Sequence, residues 1–269
     1  MENTLKFESA SLAKRTKSMM RVDFRRMFKS RLFYIILACA LVMPILMTVM
    51  MSMMDGTETV NQQTGELTVM VGPENAWQNI GTLPGGENMG GMDVFGMCNI
   101  NMMFMAVAVF VCIFISDDFR SGYAKNLFTV RARKGDYVIS KTVVGFVCGA
   151  LMLILYFVGS VLGGAVAGLS FDLQGLGVSN LVMCMLAKIL LMLVFVLIFT
   201  LISIAAKEKT WLAICGSLGG GMLLFMMVTM ITPLGSTIVN VGLCLAGGAM
   251  FSLGLGLISR AVLNKTRLI

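Results

Sequence analysis

Six stretches of this chain are apolar for close to the ~20 residues that a helix needs to cross the hydrocarbon layer. They run Leu32 to Met54, Cys98 to Ile115, Thr142 to Gly168, Lys188 to Ala206, Trp211 to Ile231 and Thr237 to Ile258. The charges between them alternate by side. Of 21 basic residues, nine precede the first run, six separate runs two and three, two separate runs four and five, and three lie at or beyond the end of run six. Only Lys188 departs from this pattern. By contrast, the 43 residues from Asp55 to Met97 hold six carboxylates, Asp55, Glu58, Glu66, Glu74, Glu87 and Asp93, and no basic residue. Because basic flanks stay on the cytoplasmic side, the pattern predicts an all-α integral membrane protein with six transmembrane helices and both termini in the cytoplasm. The acidic segment then faces outward.

With 57% hydrophobic and 13% charged residues, the chain has too little polar surface to cover a soluble globule. A net charge of +7 would elsewhere suggest nucleic acid, but here the excess flanks apolar runs, where anionic lipid headgroups attract it. We therefore expect membrane lipids, and no nucleic acid, as partners. No G-x-x-x-x-G-K-[ST] loop occurs, so a nucleotide phosphate has no such cradle. The seven cysteines are scattered singly and histidine is absent, which gives no disulfide framework and no metal site. The first run is longer than the ~7–15 residues of a signal core and lacks a small-residue cleavage site, so it reads as an uncleaved span.

Residues 1–31 form a basic segment and 32–269 the six-span domain. The domain includes an outer loop over 55–97, a cytoplasmic loop over 116–141, and an outer loop with a partly immersed helix over 169–187. Before the first span, Met20, Phe24, Met27 and Phe28 recur at helical spacing, while Arg21, Arg25, Arg26 and Lys29 point elsewhere. That spacing predicts an N-terminal amphipathic helix lying in the interface, although a plain topological flank would show the same basic residues. Thr57 to Val71 reads as a hairpin and Gly72 to Gly96 as irregular. Gly145 and Gly149, Gly159 and Gly163, and Gly164 and Gly168 repeat at intervals of four, a pattern that brings helix backbones close together in lipid. Lys188 is expected at the outer end of span four, its ammonium reaching toward headgroups, because a charge at the bilayer centre costs at least ~2.5–3.5 kcal/mol. Binding an anionic ligand is the alternative.

The most informative cytoplasmic stretch runs Ser116-Asp117-Asp118-Phe119-Arg120-Ser121-Gly122-Tyr123-Ala124-Lys125-Asn126-Leu127-Phe128 and closes at Ser140-Lys141. Ser116 is suited to cap a helix whose first turn holds both carboxylates. Phe119, Tyr123 and Leu127 then share one side, and Gly135-Asp136 supplies a stop and restart. This stretch resembles the loop between spans two and three in permease subunits of ABC-2 type ATP-binding-cassette transporters. There an acidic residue, an aromatic, a glycine three residues on, Lys-Asn, a later Arg and a closing Ser- or Ala-Lys recur. Asp118, Phe119, Gly122, Lys125-Asn126, Arg131 or Arg133, and Ser140-Lys141 stand at those places. The first outer loop is longer than in many members.

The resemblance implies a coupling loop docked on a separate cytoplasmic ATPase, formed by Asp117, Asp118, Phe119, Gly122, Tyr123, Asn126, Arg131 and Arg133. It implies a second permease, identical or different, and a location in the cell membrane. ATP and Mg would sit on the ATPase, so this chain binds no cofactor itself and is not an enzyme. The interfacial helix of Met20, Arg21, Phe24, Arg25 and Phe28 also has its counterpart there. For substrate, the 26 methionines suit a cavity for amphipathic or hydrophobic molecules but equally suit ordinary packing. The acidic outer loop adds a cationic antimicrobial peptide, exported for the cell's own immunity, as a candidate. The substrate-binding residues stay unassigned. A non-transporting scaffold or receptor is the rival reading. Ion-coupled transport is disfavoured because no Asp or Glu lies within the six runs.

Overall fold

A computed structural model describes residues 12–60, 67–69, 72–81, 99–130 and 134–265. Among these, eight helices follow one another: α1 (Leu12–Lys29), α2 (Arg31–Met53), α3 (Met102–Arg120), α4 (Tyr123–Val130), α5 (Gly135–Ala167), α6 (Val178–Ala206), α7 (Thr210–Ile231) and α8 (Ile238–Lys265). Five of them, α2, α3, α5, α6 and α8, are long and apolar enough to cross a membrane. The hairpin expected after α2 forms, with β1 (Glu58–Val60) antiparallel to β2 (Leu67–Val69) and Thr59 opposite Thr68. A short 3₁₀ turn over Ala76–Asn79 follows it.

Helix α3 sits centrally, packed against α2, α5, α6 and α7, and its side chains Phe104 and Phe110 are enclosed. Phe104 meets Phe195 of α6 at 4.8 Å between ring centres, and Phe110 faces Phe33 of α2. Glycines set the spacing along α5. A Cβ at Gly159 would run into the carbonyl oxygen of Leu41, and one at Gly163 would lie 3.0 Å from the Ile45 Cα and 3.2 Å from the Pro44 oxygen. The four-residue interval seen in the sequence is therefore the seam between α2 and α5. On the opposite side Gly145 and Gly149 receive Val196 and Met192 of α6. Gly168 closes α5 in the left-handed region at φ +72°, and Leu169 N–H returns to the Gly164 carbonyl at 3.0 Å.

At the acidic end of the bundle the 3₁₀ turn is clamped over this seam. Asn79 Nδ2 donates to Thr48 Oγ1 at 2.6 Å, and Thr48 donates to the Pro44 carbonyl at 2.7 Å. Ala76 N–H donates to the Ser170 carbonyl at 3.0 Å, and Trp77 Nε1 donates to the Phe171 carbonyl at 3.0 Å. The Trp77 ring stacks on Phe157 and meets Phe171 edge-on. Part of the stretch from Gly72 to Gly96 is thus ordered by specific bonds rather than irregular; the part from 82 to 96 lies outside the described residues.

Two expectations are corrected. A single helix, α6, begins at Val178 and runs without interruption through Lys188, so 178–187 is not a separate immersed helix. Lys188 is buried inside the bundle and does not reach outward. Its ammonium donates to Asn101 Oδ1 at 2.7 Å and Thr232 Oγ1 at 3.0 Å, which satisfies polar needs that the apolar neighbours cannot. The face that α1 turns to the bundle also differs from the expected stripe. Thr16, Met19, Asp23 and Met27 are buried, with α1 packed on α5, while Phe28 is half exposed, stacks on Phe24 and meets Phe33 edge-on at the elbow into α2.

If the α2–α5 seam depends on backbone approach, Gly159→Ala lowers stability by about 1–3 kcal/mol through overpacking. Gly242→Ala, where nothing lies within 4 Å of the added carbon, changes it by less than about 0.5 kcal/mol. Thermal unfolding of the purified chain compares the two directly.

Candidate functional site

The face of α1 that carries Met19 and Met27 also carries Asp23, one of the few acids in a strongly basic segment. Helical spacing sends its carboxylate toward α5 together with those methionines. There it meets the polar start of α5, where Ser140 Oγ donates to Asp23 Oδ2 at 2.6 Å and Lys141 Nζ donates to Oδ1 at 2.8 Å. Lys141 also pairs with Asp118 Oδ2 at 2.7 Å, and Tyr137 O–H donates to the same carboxylate at 3.0 Å. Arg26, one turn beyond Asp23 on α1, pairs with Asp118 Oδ1 at 2.6 Å and lies 3.7 Å from Asp23. Asp23, Asp118 and Lys141 are almost completely enclosed. Two anions and two cations therefore form a neutral cluster shared by α1, α3 and α5.

Aromatic rings close the cluster. Lys141 Nζ lies 4.2 Å from the centre of Phe114 and 5.3 Å from that of Tyr137, and the Arg26 guanidinium lies 4.5 Å over Tyr123. Such placements stabilise a cation most where water is excluded. Burial opposes the Arg26 charge, but the carboxylates of Asp118 and Asp23 outweigh it and hold the guanidinium pKa above its ordinary value. Nearby, Arg15 Nε pairs with Asp136 at 3.1 Å, which fixes the first turn of α5 against α1. Lys134 Nζ donates to the Leu263 carbonyl at 2.7 Å and ties in the end of α8.

The site residues read from the sequence divide into three groups. Asp118 and Phe119 are buried, the first in the charge cluster and the second edge-on to Tyr137. Asp117 and Asn126 are exposed, as are Arg120, Ser121 and Lys125; Asp117, Arg120 and Ser121 line a shallow cleft with Arg26. Gly122 turns the chain at φ +73° between α3 and α4, and Tyr123 lies half-buried under Arg26. Arg131 and Arg133 lie outside the described residues. Among the interfacial residues, Arg21, Arg25 and Phe28 are exposed and Met20 and Phe24 half-buried.

One local reading is corrected. Ser116, Asp117 and Asp118 do not open a helix; they form the last turns of α3, which continues to Arg120. Carboxylates at that end oppose the helix dipole, and Lys141 and Arg26 supply the charge that makes Asp118 tolerable there. Sequence reasoning missed Asp23, Tyr137 and the role of Ser140-Lys141. The available signal was Asp23 itself, an acid among bases at helical register with Met19 and Met27.

A family model described as ABC-2 family transporter protein matches residues 20–223, a span that contains every member of the charge cluster. No curated protein and no solved structure matches the chain.

Removing one member strands its partners in a dry site. Lys141→Met or Asp118→Asn is expected to cost on the order of 3–5 kcal/mol, since one charge is then left uncompensated. The double variant Lys141→Met, Asp118→Leu should lose less than the sum of the corresponding single variants by about 0.5–3 kcal/mol, measured as a double-mutant cycle in thermal unfolding.

Proposed function

This chain belongs to the ABC-2 family of transporter membrane proteins, and we propose that it is the permease subunit of an ATP-driven transporter whose nucleotide hydrolysis resides on a separate cytoplasmic ATPase. The family and the five long apolar helices make it a multi-pass membrane protein. In the proposed topology the 22-residue α7 is the sixth span, both termini face the cytoplasm, and α1 lies along the inner interface with Arg21, Arg25 and Phe28 toward lipid.

The observation that carries this reading is the charge cluster. It joins the turn between α3 and α5 to α1 and leaves Asp117, Arg120, Lys125 and Asn126 exposed on the outside of that turn. A turn fixed in this way transmits a push instead of absorbing it. Closure of an ATPase against α4 would move the ends of α3, α5 and α1 together, and with them the attached spans. A dimer of permeases with two ATPase subunits is the expected assembly, with ATP and Mg bound by the ATPases. Phe119 and Tyr123 support the docking surface from behind, while Asn126 and its exposed neighbours make the contact. The transported molecule is amphipathic or hydrophobic, and a cationic antimicrobial peptide drawn by the acidic outer segment stays among the candidates, as does the direction outward.

Copurification from native membranes tests this. An ATPase subunit should accompany the chain, and Lys125→Glu with Asn126→Ala should weaken the association at least about tenfold while leaving thermal stability unchanged. Absence of any ATPase would favour a scaffold. Labelling of intact cells should reach the outer segment at Glu66 and spare Lys125.

A further inference from the structure

Two lysines in this bundle are fully buried, and they are neutralised differently. Lys141 has a carboxylate at 2.8 Å and another at 2.7 Å. Lys188, eleven residues into α6, has two neutral oxygens, Asn101 Oδ1 and Thr232 Oγ1, and no carboxylate within ion-pair distance among the described residues. An ammonium has three donors, and a cation taken out of water without a counter-charge carries a penalty of several kcal/mol. A purely structural bridge between these helices would not need the charge at all.

Two of the three ammonium donors are taken by these oxygens, which leaves one for an anion. Asn101 precedes the first turn of α3, the positive end of a 19-residue helix, where a negative group is stabilised and an ammonium is not. Thr232 caps the end of α7; its hydroxyl accepts from Lys188 at 3.0 Å and donates to the Val228 carbonyl at 2.7 Å, and it meets an anion by turning that proton away from Val228. The Cys184 thiol faces the Thr232 carbonyl at 3.6 Å. Three helices thus bring a cation, an amide and a hydroxyl to one point in otherwise apolar packing. Asn101 is also coupled to the clamp at the acidic end: Ile100 N–H donates to the Asn79 carbonyl at 2.9 Å, and Asn79 holds Thr48 of α2.

Resting on the permease reading above, we propose that Lys188, Asn101 and Thr232 form the binding site for the acidic head, carboxylate or phosphate, of a transported amphiphile. A small hydrated anion would lose its water for only three polar groups, whereas an acyl-tailed acid brings its own apolar body to the packing.

The test uses the full chain in phosphatidylcholine nanodiscs, with binding read from the thermal midpoint. Dodecanoate and dodecyl phosphate should bind at least about tenfold more tightly than methyl dodecanoate. Lys188→Gln should abolish that preference and Lys188→Arg should keep it. Asn101→Asp supplies a carboxylate beside the lysine and should abolish the preference in a folded protein, even if Lys188→Gln fails to fold. Equal binding of acid and ester by the unmodified chain, or a preference that survives Asn101→Asp, overturns the proposal. So does a gain in acid affinity in the double variant Glu87→Gln, Asp93→Asn, which would show that the chain's own outer carboxylates neutralise Lys188. Phosphatidate placed in the disc distinguishes the source: competition with dodecyl phosphate assigns the head to a bilayer lipid, and its absence assigns it to a free amphiphile. In the complex with its ATPase, dodecanoate should raise hydrolysis; binding without that response would remove the substrate assignment. The binding measurements need no ATPase, so failure to copurify one sinks the permease reading without deciding this result.

Discussion

Two carboxylates and two cations meet between three helices, with Asp23, Asp118 and Lys141 enclosed and Arg26 at the rim, and each is there only because the others are. Asp23 and Asp118 come from helices 95 residues apart in sequence, and Lys141 from a third. In such a site the desolvation of any one charge exceeds what a single partner returns, so the cluster is stable as a neutral set. Ser140 and Tyr137 complete the two carboxylates, and the aromatic rings of Phe114 and Tyr123 cover the cations. This satisfied polarity fixes where α1 lies, how far α3 extends and at what height α5 begins.

Away from that cluster the bundle is held by shape. Lipid offers no hydrophobic drive for helices to associate, so contact must come from backbones that can approach closely. The seam at Gly159 and Gly163 supplies that contact along α2, and the Trp77 clamp covers its outer end. Pro44 lies inside this seam. Its missing N–H leaves the Ala40 carbonyl without its intrahelical donor, and the surrounding packing holds the helix through the gap.

Apolar run length predicted the long helices well, and the errors share one cause. Run two stopped before Asp117, run three began after Lys141, and run four began at Lys188, because each charge was read as the edge of the membrane. The helices instead continue through them: α3 to Arg120, α5 from Gly135 and α6 from Val178. A hydropathy pattern registers a charge but not its partner, and Asn101 lies 87 residues from Lys188 and Asp23 lies 118 from Lys141. The turn between α3 and α5 was legible as a segment from its motif, yet which of its residues face inward was not. Phe119 and Asn126 look equally suited to contact in one dimension, and only packing against Tyr137 separates them.

Helix α5 spans 33 residues, about 50 Å, without a break. Near its start it grips Asp23 through Ser140 and Lys141; near its finish Gly164 lies under Ala76 of the outer clamp. A rod anchored at both tips cannot shift at one without shifting at the other. Tilting it by a few degrees about the Asp23 end would therefore slide the surface beneath Trp77 by an ångström or more, a mechanical link along the whole bundle made from a single unbroken hydrogen-bond ladder.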